Sequence, residues 1–203
     1  MRAEIQRLAG ARAEPLHRRL IDAADAFAHD RVRDAIRILR PLRDELPDAA
    51  SVRELLGLAL YRAGRYGPAA KELQAFDDLS GSVEQHPVLM DCHRALGHYA
   101  EVERLWAELG EVSPGPELVA EGRIVAAGAL ADQGRVAEAI RMLDRRAGAE
   151  VRRAKEHHLR LWYALADLEE RAGNLPRARL LFERVRAHAP DFADVAERLA
   201  ALG

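Results

Sequence analysis

The stretch AGRYGPAAKEL, residues 63–73, sets the architecture, because the same phrase returns four more times. It reads HDRVRDAIRIL at 29–39, LGHYAEVERLW at 96–106, QGRVAEAIRML at 133–143 and AGNLPRARLLF at 172–182. Each copy has a turn residue (Asp30, Gly64, Gly97, Gly134, Gly173) followed two positions later by an apolar one. A small residue comes three positions on (Ala35, Ala69, Val102, Ala139, Ala178). A large apolar one follows four further (Leu39, Leu73, Trp106, Leu143, Phe182). The turn residues stand 34, 33, 37 and 39 residues apart, a period that marks stacked repeats. Glycine suits such a turn because it accepts positive φ between antiparallel helices.

The residues before each turn also read as helix. Val52, Leu55, Leu56, Ala59, Leu60 and Ala63 recur at three- and four-residue spacing, as do Leu161, Leu165, Leu168 and Ala172. Each repeat is therefore a helix A, a tight turn and a helix B. Pro47, Pro114 with Pro116, and Pro190 fall where repeats join. Pro68 and Pro176 come early in helix B, where a missing N–H is tolerated. Pro41 falls inside the first helix B and is expected to kink or end it. Nothing from Ala149 to Ala172 breaks a helix. The fifth helix A is thus expected to start early, with Glu150, Arg152, Arg153, Lys155 and Glu156 forming a charged spur.

The pattern resembles the tetratricopeptide repeat (TPR) family, a helix–turn–helix unit of about 34 residues. The last repeat fits best, through Trp162, Leu165, Ala166, Gly173, Ala178, Phe182 and Pro190. The second fits through Leu56, Gly57, Gly64, Ala69 and Leu73, and the first through Ala23, Ala35, Leu39 and Pro47. In the third, Met90 and Val102 replace small residues, and insertions of three and five residues surround the fourth. The expected fold class is all-α, an α-α superhelix (right-handed solenoid) of about five TPR-like hairpins with a C-terminal capping helix. The expected boundaries are a tail or short helix over 1–15, an array over 16–192 and a cap over 193–203. The repeats lie at about 16–49, 50–82, 83–116, 120–153 and 159–192. In the cap, Asp191 reads as the N-cap, and Val195, Leu199 and Leu202 form a stripe. If the first residues leave Leu20 and Phe27 uncovered, that end is open to self-association.

Composition agrees. The chain has 39 Ala, 28 Leu and no Thr, which favours helix over strand. Arg outnumbers Lys 29 to 2, pointing to a high-GC, bacterial-type genome. With 31 basic and 33 acidic residues the net charge is −2, which argues against a strongly basic nucleic-acid binder. The longest uncharged stretch, Ile124 to Ala131, is eight residues, far short of the ~20 of a membrane span. The N-terminus has no apolar core of signal-peptide length, and Cys92 is the only cysteine. A cytoplasmic location is expected on both counts.

No GxSxG, HExxH, Walker loop or dinucleotide glycine pattern occurs, so no enzyme activity and no cofactor are expected. His86, Cys92, His93 and His98 bring a metal to mind. However, His86 and His93 stand two helical turns apart, ~10 Å, too far to hold one ion directly. Cys92 reads as a small core residue and the adjacent His157 and His158 as a solvated face. The basic stretch Arg145, Arg146, Arg152, Arg153, Lys155 and Arg160 is interrupted by Glu150 and Glu156.

The resemblance implies a concave groove lined by helix A residues as the binding surface. In the second repeat these are Glu54, Leu58, Tyr61 and Arg62, and in the third Val88, Asp91 and Arg94. The fourth supplies Glu121, Ile124 and Gly128, and the fifth Arg160, Tyr163, Asp167 and Arg171. Tyrosine beside arginine and carboxylates is the composition of interface hot spots. The Lys/Asn/Arg clamp by which some TPR proteins grip a peptide's C-terminal carboxylate has no match here. Only Lys71 and Lys155 are present, and the single Asn174 lies at a turn. The expected function is a non-catalytic protein–protein interaction scaffold holding a peptide or protein in its groove. A self-association module giving a homodimer and an RNA-binding helical repeat are the alternatives.

Overall fold

The computed structural model of the protein describes residues 1–147 and 153–203, and every regular element among them is helical. The helices are α1 (Arg2–Ala9), α2 (Ala13–Ala28), α3 (Val32–Glu45), α4 (Ala50–Arg62), α5 (Tyr66–Ser80), α6 (His86–Ala95) and α7 (Tyr99–Val112). They continue as α8 (Pro116–Asp132), α9 (Val136–Ala147), α10 (Glu156–Arg171), α11 (Leu175–His188) and α12 (Val195–Ala201). Helix pairs α2–α3, α4–α5, α8–α9 and α10–α11 are hairpins, and α6 and α7 are joined by the same kind of turn. Among the described residues no helix is long and apolar enough to cross a membrane.

All five turns are closed in one way. Asp30, Gly64, Gly97, Gly134 and Gly173 have φ of 60°, 68°, 75°, 78° and 81°. The turn residue's N–H bonds the carbonyl three back, and the next N–H bonds the carbonyl five back. At the second turn these are Gly64 to Tyr61 and Arg65 to Leu60, both 2.9 Å. At the fifth they are Gly173 to Glu170, 2.9 Å, and Asn174 to Glu169, 2.8 Å. This double bond satisfies the last carbonyls of helix A and demands a left-handed residue at the pivot. Asp30 fills that role without being glycine, and the Arg62 guanidinium holds its carboxylate at 2.6 Å.

The chain divides into two compact units, Met1–Glu101 and Val102–Gly203. In the first, Gly57 lets α4 approach α5. A Cβ there would stand 2.7 Å from Leu73 Cγ and Cδ2. Ala35, Leu39, Ala69 and Leu73 are fully or almost fully buried, as the repeated phrase requires. Within the tail or short helix expected over 1–15, Arg2–Ala9 form α1, whose Ile5 is fully buried. Glu4 Oε2 accepts a 2.5 Å hydrogen bond from Ser51 Oγ, tying α1 to α4. Leu20 is fully buried and Phe27 half-buried, with the Arg62 guanidinium 4.7 Å above its ring.

In the second unit Trp162, Leu165, Phe182, Val185, Val195 and Leu199 share one core with Ala139 and Leu143. Trp162 carries the Arg184 guanidinium 4.0 Å over its ring and His188 at 5.6 Å. Helix α12 closes the end through Val195 and Leu199, with Leu202 packed beside them.

Several expectations need correction. Pro41 does not end α3, which runs on to Glu45. Pro41 lies on the exposed side, so the Arg37 carbonyl that it leaves without an N–H opens to water. Helix α10 begins at Glu156, not near Ala149. Lys155 is extended at φ −91°, ψ 166°, and its N–H bonds His158 Nδ1 at 3.1 Å, fixing the start. The remainder of the expected spur, Glu150 and Arg152, lies outside the described residues. The cap is preceded by Asp194 rather than Asp191, because α12 does not begin until Val195. Trp106 is only half-buried, while Leu105 and Leu109 of the same helix fill the core instead.

Candidate functional site

The helix A stripe of the first unit is built from α4 and α6. Tyr61 sits in the last turn of α4, and its hydroxyl donates to Asp91 Oδ2 at 2.6 Å. Arg94, one turn further along α6, donates through Nε to Asp91 Oδ1 at 2.8 Å. Both oxygens of Asp91 are thereby engaged. Gln85, just before α6, donates to Glu54 Oε1 on α4 at 2.8 Å. Leu58 is half-buried between these two polar links. Arg62 is turned to the preceding hairpin, where it bonds the Phe27 carbonyl at 3.1 Å and Asp30. Burial, and then the bond to Asp91, raise the Tyr61 hydroxyl well above the ordinary tyrosine pKa. It remains a neutral donor throughout the physiological range.

In the second unit the stripe follows α8 and α10. Arg160 Nε meets Glu121 Oε1 at 2.9 Å. Burial raises the Glu121 pKa, and the arginine opposes that rise without reversing it. Ile124 is half-buried beside them. Tyr163 donates to Asp194 Oδ1 just before α12, and its ring lies 5.4 Å from Phe182 and 5.9 Å from Phe192. Burial first and this bond second push its pKa up to about 12. Arg198 of α12 reaches back to Asp167 at 2.9 Å and Glu170 at 2.7 Å. Arg171, further along α10, stands 4.0 Å from Asp167.

The two tyrosines thus do the same work. Each uses its hydroxyl to tie one helix A to the segment that follows a repeat later, 30 residues on for Tyr61 and 31 for Tyr163. Neither is the exposed aromatic that its place in the sequence suggests. A hydroxyl committed to a carboxylate elsewhere in the chain is a spacer between stripe residues, not a free anchor. The less constrained members are Leu58, Ile124 and Arg171.

Sequence reasoning missed a cleft of about 520 Å³ in the second unit. Val102, Trp106, Ala126, Leu130 and Met142 line it, with Arg123, Arg135, Glu138 and Arg141 around them. The Arg123 guanidinium lies 5.3 Å over the Trp106 ring. Arg135 grips Glu138 through two 2.8 Å bonds. This is an apolar slot with a charged rim, and the half-buried Trp106 is its one aromatic wall. The departure of Trp106 from the core position was not visible in its spacing.

The structure also sorts out the titratable residues that prompted a metal reading. Among the described residues, no group of three or more His, Cys, Asp or Glu side chains is arranged to hold a metal ion. Cys92 is fully buried, and burial pushes its thiol up to about 12, so the thiolate that metals require is disfavoured. His86 is buried near Asp77, 3.4 Å away. His93 and His98 face each other with Nδ1 atoms 3.4 Å apart. His157 is not on a solvated face. It is buried against His158, ring centroids 4.0 Å apart, with Glu117 3.5 Å from its Nδ1. Of the basic stretch, Arg152 and the side chains of Arg145 and Arg146 lie outside the described residues. Arg160 is paired with Glu121.

Two family models described as tetratricopeptide repeat match the chain, one over residues 23–82 and one over residues 159–202. Among solved structures, a thermophilic TPR protein from Thermus thermophilus matches with a TM-score of 0.68 at 18% identity. That match covers 92% of this chain and 98% of the other. The pilF protein of Pseudomonas aeruginosa matches with a TM-score of 0.67 at 12% identity, covering 94% and 90%. The C-terminal part of a TPR repeat-containing protein from Cytophaga hutchinsonii matches at 0.64 and 12% identity, covering 90% and 69%. At these identities the likeness is one of fold, all-α and of the α-α superhelix class. No curated protein matches the chain.

Proposed function

Because the chain belongs to the tetratricopeptide repeat family, we propose that it is a non-catalytic scaffold that holds a peptide or protein on its helix A stripes. One observation carries this reading. In both units, stripe residues are already held by partners within the chain: Tyr61–Asp91–Arg94 and Glu54 by Gln85 in the first, Arg160–Glu121 and Asp167 by Arg198 in the second. Side chains held before a partner arrives lose less entropy when it binds. Between the polar links stand Leu58 and Ile124, half-buried apolar positions at which a partner's side chain would exclude water. Charges of both signs border them, which suits a polypeptide better than a uniformly charged polymer. The single buried Cys92 fits a reducing compartment, and we place the scaffold in the cytoplasm.

The test is an affinity pull-down from source lysate with wild type beside a Leu58→Glu/Ile124→Glu variant shown to be helical by circular dichroism. The expected result is a protein retained by wild type and released by the variant. Equal retention by both would remove the stripes as the binding surface. Self-association through the N-terminal end is the less favoured reading, since Ile5 and Leu20 are both fully buried.

A further inference from the structure

The first unit carries a second cleft, away from the helix A stripe, with a different chemistry. Helix α3 presents Arg33, Ile36, Arg37 and Arg40 on one face, at three- and four-residue spacing. The turn between α4 and α5 brings Ala63 and Arg65 against that face. Together with Pro41 these residues enclose a cleft of about 620 Å³. Its floor is apolar, with Ile36 almost fully buried. Its rim is four exposed guanidinium groups.

Several arginines elsewhere in the unit are closely paired. Arg19, Arg31, Arg43, Arg53 and Arg62 all hold carboxylates at 2.7 Å or closer. Around the cleft, only Arg37 has such a partner, Asp34 at 3.4 Å, with both side chains largely exposed. The guanidinium groups of Arg33, Arg40 and Arg65 make no ion pair or hydrogen bond among the described residues. An adjoining cleft shares Arg40 and extends the basic edge to Lys71. Of its carboxylates, Glu72 is occupied by Arg43 and Arg53, and Asp44 by Arg43. Like charges gathered without compensation repel one another, and an anionic ligand would relieve that repulsion.

We propose that this cleft docks an acidic peptide segment in which carboxylates flank an aliphatic side chain. The carboxylates pair with Arg33, Arg37, Arg40 and Arg65, whose planar forks match them in a bidentate manner. The aliphatic side chain covers Ile36, Pro41 and Ala63. A nucleic acid fits less well. No aromatic side chain lines the cleft to stack a base, and a phosphodiester chain would leave the apolar floor uncovered. The site is separate from the stripes, so the two readings stand or fall independently.

The experiment is fluorescence anisotropy on the full chain at ~50 mM salt. The probes are a fluorescein-labelled Glu-Glu-Asp-Leu-Glu-Glu peptide, its Gln/Asn isostere, the same acidic peptide with Gly for Leu, and a labelled oligothymidylate. The acidic peptide is expected to bind and the isostere not to bind. Glycine in place of leucine should weaken binding several-fold. Arg33→Glu/Arg40→Glu and, separately, Arg65→Ala should each weaken it by about tenfold or more, the scale of one lost charge-assisted pair. Arg7→Ala, at an exposed arginine that does not line the cleft, should leave it unchanged. The rim residues Arg33, Arg40 and Arg65 make no internal pairs to lose, and circular dichroism of each variant checks the fold. The proposal is overturned if wild type does not bind the acidic peptide, or if both rim variants bind it as wild type does. Tighter binding of the oligothymidylate than of the peptide would also overturn it and assign the cleft to nucleic acid.

Discussion

Gly122 and Gly110 lie in neighbouring elements of the second unit, and replacing each with alanine should change stability in opposite directions. Gly122 is in the interior of α8. A Cβ built on it would stand 2.4 Å from Leu109 Cδ2 and 3.3 Å from two ring carbons of Trp106. Carbon atoms rest at about 3.5–4.0 Å, so the overlap with Leu109 exceeds 1 Å. Leu109 is fully buried, so its Cδ2 turns away only if the side chains around it repack. Overpacking of this kind costs about 1–3 kcal/mol, while alanine in place of glycine in a helix returns about 1 kcal/mol. The net expectation for Gly122→Ala is a loss of about 0–2 kcal/mol. Gly110 is exposed in α7, and a Cβ there meets nothing within 4 Å. Gly110→Ala keeps the full propensity gain of about 1 kcal/mol. The propensity contributions cancel between the two variants, so their difference isolates the packing cost, about 1–3 kcal/mol. For a chain of this size that is a Tm gap of roughly 2–12 °C. Thermal melts at 222 nm measure it, and tryptophan emission follows Trp106 beside the substitution. If Gly122→Ala stabilises as much as Gly110→Ala, the close approach of α7 and α8 at this point is wrong.

Ala178 is fully buried at the small position of the last helix B, so Ala178→Leu should cost about 1–3 kcal/mol in a urea melt. An unchanged midpoint would refute the small-residue role. Glu72 is buried and holds both Arg43 and Arg53, joining α3, α4 and α5. Glu72→Gln should cost about 1–3 kcal/mol, below a fully buried pair because the arginines keep some solvent contact. A loss under about half a kcal/mol would show the pairing to be no stronger than a surface one. Tyr163 has a folded-state pKa of about 12 against an ordinary value near 10. A raised pKa gives stability that is complete below about pH 10 and is lost as pH rises through about 12. Solvent screening holds the effect to about 1 kcal/mol. Urea midpoints across the alkaline range should fall less steeply in Tyr163→Phe than in wild type, and identical slopes would contradict the assignment.

The stripe residues show how far a linear reading reaches. Glu54, Tyr61, Asp91, Glu121, Tyr163 and Asp167 fall on helix A by their spacing, and all lie on α4, α6, α8 or α10. Their use was not legible. The tyrosine hydroxyls, Asp91 and Asp167 are bound within the chain, and those partners lie about one repeat away: Tyr61–Asp91, Gln85–Glu54, Arg62–Asp30 and Arg198–Asp167. A donor and a carboxylate recurring at the repeat period is the signal that could have found them. The rim of the α3 cleft gave no such signal. It joins one face of a helix to the turn of the following hairpin.

The helix–turn–helix repeats, their turns and, except at Trp106, their small and large core positions follow from the order of the residues. Those features are local: a left-handed residue at the pivot, apolar residues every three or four positions, and a proline that cannot donate. Packing in three dimensions was needed to order α1 over the first hairpins and to start α10 at Glu156. It also buries Glu72 and His157, sets Trp106 at the wall of one cleft, and leaves three arginines without partners around another. The difference is one of reach. Whether a long polar side chain is paired, buried or free depends on how one hairpin is rotated on the next, and no spacing within a single repeat records that rotation.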